Sequence, residues 1–502
     1  MPPVCARSSR RWEVRALPRL ADALAAPLIF EQGQAGRANR YFPRHAESAD
    51  AYLPAEAIRP ELPLPDNSEL DVVRHFTRLS QRTFGIDTAF YPLGSCTMKY
   101  NPRINDAMAN LPGLRDLHPF APDELAQGAL AIMWELERAL SSLFGMAEFS
   151  LNPAAGAHAE FAALLIAKAY FRTRGETRRT TVIVPDTAHG TNPASAAMVG
   201  YKVVSLPSDK RGRVDPDELK KVLGSDTAVC MMTNPNTLGL FEDRIKEIAD
   251  AVHDAGGLMY YDGANANALM GNSRPGDMGF DLMHLNLHKT FSIPHGGGGA
   301  GAGPVGVAAH LVPFLPSPRV ERNGEEFSLQ FELPESIGPM RSFWSNFAHV
   351  VRALAYICAN GEEGLTKVSQ LAVLNANYIR ASIRDVLETP YDEPCRHEFV
   401  ATAQPLKRET GVRALDIAKA LLDRGYHAPT IYFPLLVPEC LMIEPTETES
   451  KETLDGFIAA LREIVQQAHD DPVAVQCAPI ETVVGRVDET KAAREPDLRW
   501  RP

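Results

Sequence analysis

From residue 148 to about residue 290 the chain alternates between two patterns. Short, nearly unbroken apolar runs at 148–151, 181–184, 202–205, 227–232, 257–261 and 282–287 read as strands buried on both faces. Between them lie segments whose apolar residues recur every three or four positions. In 242–254, for example, Ile245, Ile248, Ala249 and Val252 share one face, and Gly256 stops the helix. Alternation of this kind predicts an α/β fold with a mainly parallel sheet flanked by helices. A further helix is predicted over 123–144, with Asp123 as its cap, Leu125, Ile132, Met133, Leu136, Leu140 and Leu143 on one side, and Gly145 at its end.

The pattern changes on either side. Residues up to about 120 are Pro-rich and weakly periodic, which suits an arm carrying short helices. Beyond about 310 a Pro-rich connection leads to a helical pattern from Phe343 to Asn360, then to an α+β tail with helices over 411–424 and near 450–466. The predicted division is an N-terminal extension (1–27), an extended arm (28–122), a large α/β domain (123–350) and a smaller C-terminal α+β domain (351–502).

Composition narrows the function classes. A chain of 502 residues, 45% hydrophobic and 23% charged, can bury a large core. Its 51 basic residues against 63 acidic ones give a net charge of −12, which argues against general binding to nucleic acid or anionic membranes. No run reaches the roughly 18 apolar residues of a membrane span. The seven cysteines are scattered, without a CxxC pair or a Cys/His cluster at zinc spacing, so neither a disulfide framework nor a metal is expected. Arg7, Arg10, Arg11, Arg15 and Arg19 face a single acid, Glu13; a transit peptide is one reading, and a solvated extension is preferred.

Ligands of open α/β sheets bind beyond the carboxyl ends of the strands. Four such loops carry chemistry. Ala155-Gly156-Ala157 is small enough for backbone N–H groups at a helix N-terminus to approach a phosphate. His189 could stack on a planar ligand or cap the next helix. Asp262 ends an apolar run, where a carboxylate needs either a cationic partner or a helix to cap. Lys289 stands between the apolar run Leu282–Leu287 and Phe291, surroundings that favour a neutral, nucleophilic amine. The order matters more than any single residue: a phosphate turn, a His about 30 residues later, Asn234-Pro235, a strand-end Asp and a Lys. It is the layout of a fold-type I pyridoxal-phosphate enzyme.

Longer motifs agree with it. Tyr91-Pro-Leu-Gly-Ser-Cys-Thr-Met-Lys-Tyr-Asn-Pro102, His189-Gly-Thr-Asn-Pro-Ala-Ser195, Asp281-Leu-Met-His-Leu-Asn-Leu-His-Lys-Thr290, Pro294-His-Gly-Gly-Gly-Gly299 and Met442-Ile-Glu-Pro-Thr-Glu-Thr-Glu-Ser-Lys-Glu-Thr453 closely resemble the glycine cleavage system P-protein family. Within it they resemble subunit 2 of the two-chain form, its C-terminal half, from about Leu28 to about Glu495. Residues 1–26 have no counterpart, Pro339 stands where a basic residue is expected, and Asn152 and Ala159 replace an expected Gln and Gly.

The resemblance implies a fold-type I transferase-like domain and the cofactor pyridoxal 5′-phosphate. It also implies decarboxylation of glycine, with transfer of the aminomethyl group to the lipoyl arm of H-protein and release of CO2. Lys289 would be the Schiff-base lysine, Asp262 the partner of the pyridine nitrogen and His189 the stacking ring; these three are the implied catalytic residues. Ala155, Gly156, Ala157, Asn234 and His288 would complete the cofactor site. Tyr91, Ser95, Cys96, Thr97, His427 and Thr430 are substrate-side candidates, and the Gly296–Gly299 loop could admit the lipoamide. Implied partners are a subunit 1 chain and lipoylated H-protein, in a cytoplasmic heterotetramer of two plus two chains. Another fold-type I amino-acid decarboxylase and a non-catalytic partner subunit are the rival readings. Cys96 reads mainly as a small packed residue, and Glu444–Glu449 as a solvated approach to the helix that follows.

Overall fold

The computed structural model describes residues 27–34, 36–37, 51–58, 64–296 and 299–499. Residues 1–26 of the expected extension, and Gly297 and Gly298 of the expected loop, lie outside them. The chain forms two compact units, Met1–Thr88 with Gln476–Pro502, and Ala89–Val475. In the first, the helix Glu69–Ser80 starts from a reciprocal cap in which the Ser68 hydroxyl accepts the Asp71 N–H and the Asp71 carboxylate accepts the Ser68 N–H. Its buried His75 meets the Gln32 side-chain amide at 2.9 Å.

The second unit is built on a seven-stranded sheet. Its strands in chain order are β1 (Glu148–Ser150), β2 (Thr181–Pro185), β3 (Lys202–Leu206), β4 (Thr227–Met232), β5 (Leu258–Gly263), β6 (Leu282–Leu285) and β7 (Val305–Val307). They lie in the order β1-β7-β6-β5-β4-β2-β3. Neighbours from β3 to β6 run parallel, whereas β7 is antiparallel to both β6 and β1. The sheet is therefore mainly parallel, as the apolar runs predict. Alternate strand residues enter two cores. Ile183, Cys230, Met232, Met259, Tyr261 and Met283 pack with the helices Gln127–Phe144 and Ile245–Asp254. Val182, Val184, Val229, Met231, Tyr260 and Leu282 pack against the helix Gly156–Thr173. Burial on both faces is why these strands read as unbroken apolar runs.

Beyond the sheet, β8 (Arg319–Asn323) and β9 (Glu326–Gln330) form a hairpin. Then β10 (Phe399–Thr402), β11 (Thr430–Ile431) and β12 (Cys440–Ile443) form a second, antiparallel sheet in the order β10-β12-β11. Two helix limits differ from the pattern. The first long helix begins at Gln127 rather than 123, because the Asp123 carboxylate accepts the Leu329 N–H at 2.9 Å instead of capping it. The helical pattern from Phe343 becomes Phe347–Ile383, broken at Gly361, whose φ of 62° no helix residue adopts. Among the described residues no helix is long and apolar enough to cross a membrane. Cys96, Cys230, Cys358, Cys395 and Cys440 are free thiols, and Cys477 is disulfide-bonded.

Candidate active site

The strand order changes direction at β2, which pairs with β3 on one side and β4 on the other. Crevices at such points collect the loops from neighbouring carboxyl ends. Here they enclose a cavity of about 250 Å³. Ala155, Gly156 and Ala157 line it from the loop after β1, His189 from beyond β2, Asp262 from the end of β5, and His288 and Lys289 from beyond β6. Four segments distant in sequence thus deliver the expected phosphate turn, ring, carboxylate and amine to one space.

Each group is held differently. Asp262 is 3% exposed; its carboxylate accepts the Asn192 amide at 2.8 Å and the Ala264 N–H at 3.1 Å, with His284 Nε2 at 3.5 Å. Burial alone would raise this carboxyl, but His284, Asn192, the Ala264 N–H and Lys289 outweigh it and hold it below its ordinary value. An ionised Asp262 suits a protonated ring nitrogen. Lys289 lies in the single helical turn Leu287–Thr290, and its Nζ donates to the Ser95 carbonyl at 2.6 Å. His189 accepts the Thr191 N–H at Nδ1, and partial burial, with Lys289 nearby, lowers its pKa against the pull of Asp262. His288 is pushed down to about 3 by burial and by His295, so it faces the cavity as a neutral ring.

The residues fit pyridoxal phosphate. The helix Gly156–Thr173 opens directly at the small-residue turn, so its first N–H groups are free of intrahelical acceptors. Gly156 is required there: a Cβ on it would come within 2.2 Å of Asn286 Oδ1. Asn286 Oδ1 and Thr233 Oγ1 are buried without a hydrogen-bond partner, and both residues line the cavity, as a polar ligand would need.

Not every candidate reaches this space. Asn234 is fully buried behind it: its Oδ1 accepts the Glu242 N–H at 2.9 Å and its carbonyl accepts the Tyr261 hydroxyl at 2.8 Å, while its neighbours Thr233 and Pro235 line the cavity. On the opposite wall, Ser95 lines the cavity but Tyr91, Cys96, Thr97, His427 and Thr430 support it from behind. Tyr91 stacks on His427 with ring centroids 3.7 Å apart, and the Thr430 hydroxyl donates to the Gly94 carbonyl at 2.8 Å. Burial raises the Cys96 thiol. Ser95 and Thr97 have left-handed backbones, with φ of 67° and 39°. The Ser95 N–H donates to Glu398 at 2.8 Å, and Thr97 donates its N–H and hydroxyl to Glu444 at 3.1 and 2.6 Å.

Glu444 is therefore no solvated approach to a helix, as expected above, but fully buried. Glu447 likewise pairs with buried Lys99 at 2.9 Å, and burial pushes Glu449 up to about 7. Sequence reasoning also passed over Glu160, Asn192, His284, His397 and Glu398. A signal existed for Glu160 and His284, which are polar residues inside otherwise apolar stretches.

The chain is similar to proteins of known families. The aminotransferase class-V family matches residues 155–301, and the family described as glycine dehydrogenase, C-terminal domain, matches residues 368–478. A probable glycine dehydrogenase (decarboxylating) subunit 2 of Exiguobacterium sibiricum is 56% identical over 95% of this chain and 97% of its own. The corresponding proteins of Halalkalibacterium halodurans and Thermotoga maritima are each 54% identical, over 94% of this chain and 98% and 99% of theirs. Among solved structures, a glycine decarboxylase (P-protein) of the glycine cleavage system in inhibitor-bound form shares the fold. Its TM-score is 0.70 at 24% identity, over 82% of this chain and 93% of that one.

Proposed function

The chain belongs to the glycine dehydrogenase (decarboxylating) subunit 2 family, and on that basis we propose how its cavity serves the decarboxylation of glycine. In this reading glycine loses CO2, and its remaining aminomethyl carbon bonds to one sulfur of the lipoyl disulfide on H-protein. The sulfur–sulfur bond breaks, and the second sulfur takes a proton.

Pyridoxal phosphate, when bound, supplies an electron sink for the pair left on the glycine carbon as CO2 departs. The residues do the rest. Lys289 Nζ would hold the cofactor covalently and would carry protons to and from the glycine nitrogen. The Asp262 carboxylate would keep the ring nitrogen protonated, and the His189 imidazole would stack against the ring. Backbone N–H groups at 155–157 would hold the phosphate, with His288 as a neutral neighbour. Ser95 and the residues that brace it form the substrate wall and exclude water.

The observation that carries this reading is the meeting of Lys289, Asp262, His189 and the 155–157 helix start in one cavity. The proposed partners are a subunit 1 chain and lipoylated H-protein, in a cytoplasmic assembly of two plus two chains. The test is glycine–bicarbonate exchange by the purified assembly. The rate should depend on lipoylated H-protein, and Lys289→Ala should lose both exchange and the visible absorbance of bound cofactor. Exchange that survives Lys289→Ala rejects the reading, and exchange indifferent to H-protein makes the protein a different amino-acid decarboxylase.

A further inference from the structure

Glu160 opens the second turn of the helix Gly156–Thr173, 3% exposed, and lines the same cavity. Its Oε1 lies 2.7 Å from the Thr191 hydroxyl, and its Oε2 faces the Asn192 amide at 3.3 Å and the Ser195 hydroxyl at 3.4 Å. The Thr191 hydroxyl also lies 2.9 Å from His189 Nδ1, while the Asn192 amide reaches Asp262 at 2.8 Å. Glu160 thus touches both the ring and the carboxylate of the cofactor site through one intermediary each.

Counting protons along this chain fixes its direction. The Thr191 backbone N–H donates to His189 Nδ1 at 3.2 Å, so Nδ1 presents a lone pair. The contact between the Thr191 hydroxyl and Nδ1 then requires that hydroxyl to donate to His189, sharing the one lone pair with the backbone N–H. A threonine hydroxyl has a single proton, so the short contact to Glu160 Oε1 must take its proton from Glu160. Oε2 is left as the carbonyl oxygen of the acid, and two donors point at it. An ionised Glu160 would claim the Thr191 proton and set two lone pairs against each other at His189.

We infer that Glu160 is a positioning residue kept as the neutral acid, which fixes His189 as its Nε2–H tautomer through Thr191 while Asn192 holds the ionised Asp262. The assignment rests on the reading that pyridoxal phosphate fills the cavity. The groups facing Glu160 are Asp262, His284 and Tyr260 from β5 and β6, with Lys289 beyond β6. Burial and the neighbouring Asp262 charge push Glu160 up to about 8, in agreement with the proton count. The two buried carboxyls, bridged by one amide, therefore hold different protonation states at neutral pH.

The test compares wild type, Glu160→Gln, Glu160→Ala and Thr191→Val, measuring the dissociation constant of pyridoxal phosphate and the thermal midpoint of the apoprotein from about pH 6.5 to about pH 9.5. Glutamine carries an N–H where the acid carries its proton, and it does not titrate. Wild type should lose cofactor affinity as pH passes about 8. Glu160→Gln should keep the low-pH affinity within about twofold and lose that pH step. Glu160→Ala and Thr191→Val should each weaken binding about five- to tenfold at every pH, without adding when combined. A Glu160→Gln protein that binds as poorly as Glu160→Ala, or keeps the wild-type pH step, overturns the inference. Neither measurement involves glycine or H-protein, so failure of the proposed reaction would be seen separately.

Discussion

Lys289 Nζ donates to the carbonyl oxygen of Ser95 at 2.6 Å, across 194 residues of chain. The amine is thus aimed by the opposite wall of the cavity, and that wall depends on close packing. A Cβ on Gly94 would come within 2.2 Å of Met442 Cγ and 2.7 Å of the Met442 carbonyl. Gly94→Ala should push the Ser95 carbonyl off the amine and lower glycine turnover about a hundredfold, the scale of an ångström-sized misplacement. Steady-state exchange kinetics alongside circular dichroism would check it; a folded variant with wild-type turnover would contradict the role given to this wall.

Asp262 is held ionised by His284, Asn192 and the Ala264 N–H. Asp262→Asn removes the charge and keeps the shape. Turnover should fall at least about a hundredfold, in line with loss of one preorganised electrostatic partner, while cofactor still binds. The visible spectrum reports the binding and exchange reports the rate. Because the Asp262 pKa is depressed, its contribution to stability is present above the ordinary aspartate range and is lost as pH falls through the lower folded value.

Lys99 and Glu447 form an ion pair with 1% and 8% of their side chains exposed, beside the Tyr356 hydroxyl at 3.2 Å from the amine. Burial opposes the Lys99 charge, but Glu447 overcomes it, so the amine stays protonated. Lys99→Met alone should cost about 3–5 kcal/mol, because it leaves a carboxylate buried without its partner. The double variant Lys99→Met/Glu447→Leu should recover much of that loss. Urea unfolding of the three proteins gives both numbers.

Glu242 is 2% exposed and accepts the Val214 N–H at 3.1 Å and the Asn236 amide at 3.1 Å. Burial nevertheless pushes its pKa up to about 7. A carboxyl raised in the folded state binds its proton more tightly there, so its contribution is fullest below the unfolded value and disappears as pH rises through about 7. Glu242→Gln should flatten the thermal midpoint between about pH 5 and about pH 7.5, a difference of roughly 2 kcal/mol in unfolding free energy.

The strands and the loops after them were legible because both faces of the sheet are buried. Apolar runs mark β2, β4, β5 and β6 without ambiguity, and Asp262 and Lys289 stand at the ends of two of them. What stayed hidden depends on pairing across the chain. Glu444 looked like part of a solvated acidic stretch, because its partners Thr97 and Asn265 lie 347 and 179 residues away. Glu398 meets Ser95 across 303 residues. Asp123 was read as a helix cap for want of its actual donor, Leu329. Local periodicity carries no record of such contacts, whereas a buried run does not need to know its partner.

The bracing of Ser95 and Thr97 by Glu398 and Glu444 also sets an order of events during synthesis. The two left-handed residues are made early, and the carboxyl groups that receive their N–H groups leave the ribosome some 300 residues later. Until then the nascent chain can present Lys289 and Asp262, but their facing wall has nothing to hold its shape. A chain cut short before β12 would carry Lys289 without the wall that faces it, so the complete cavity exists only near the end of translation.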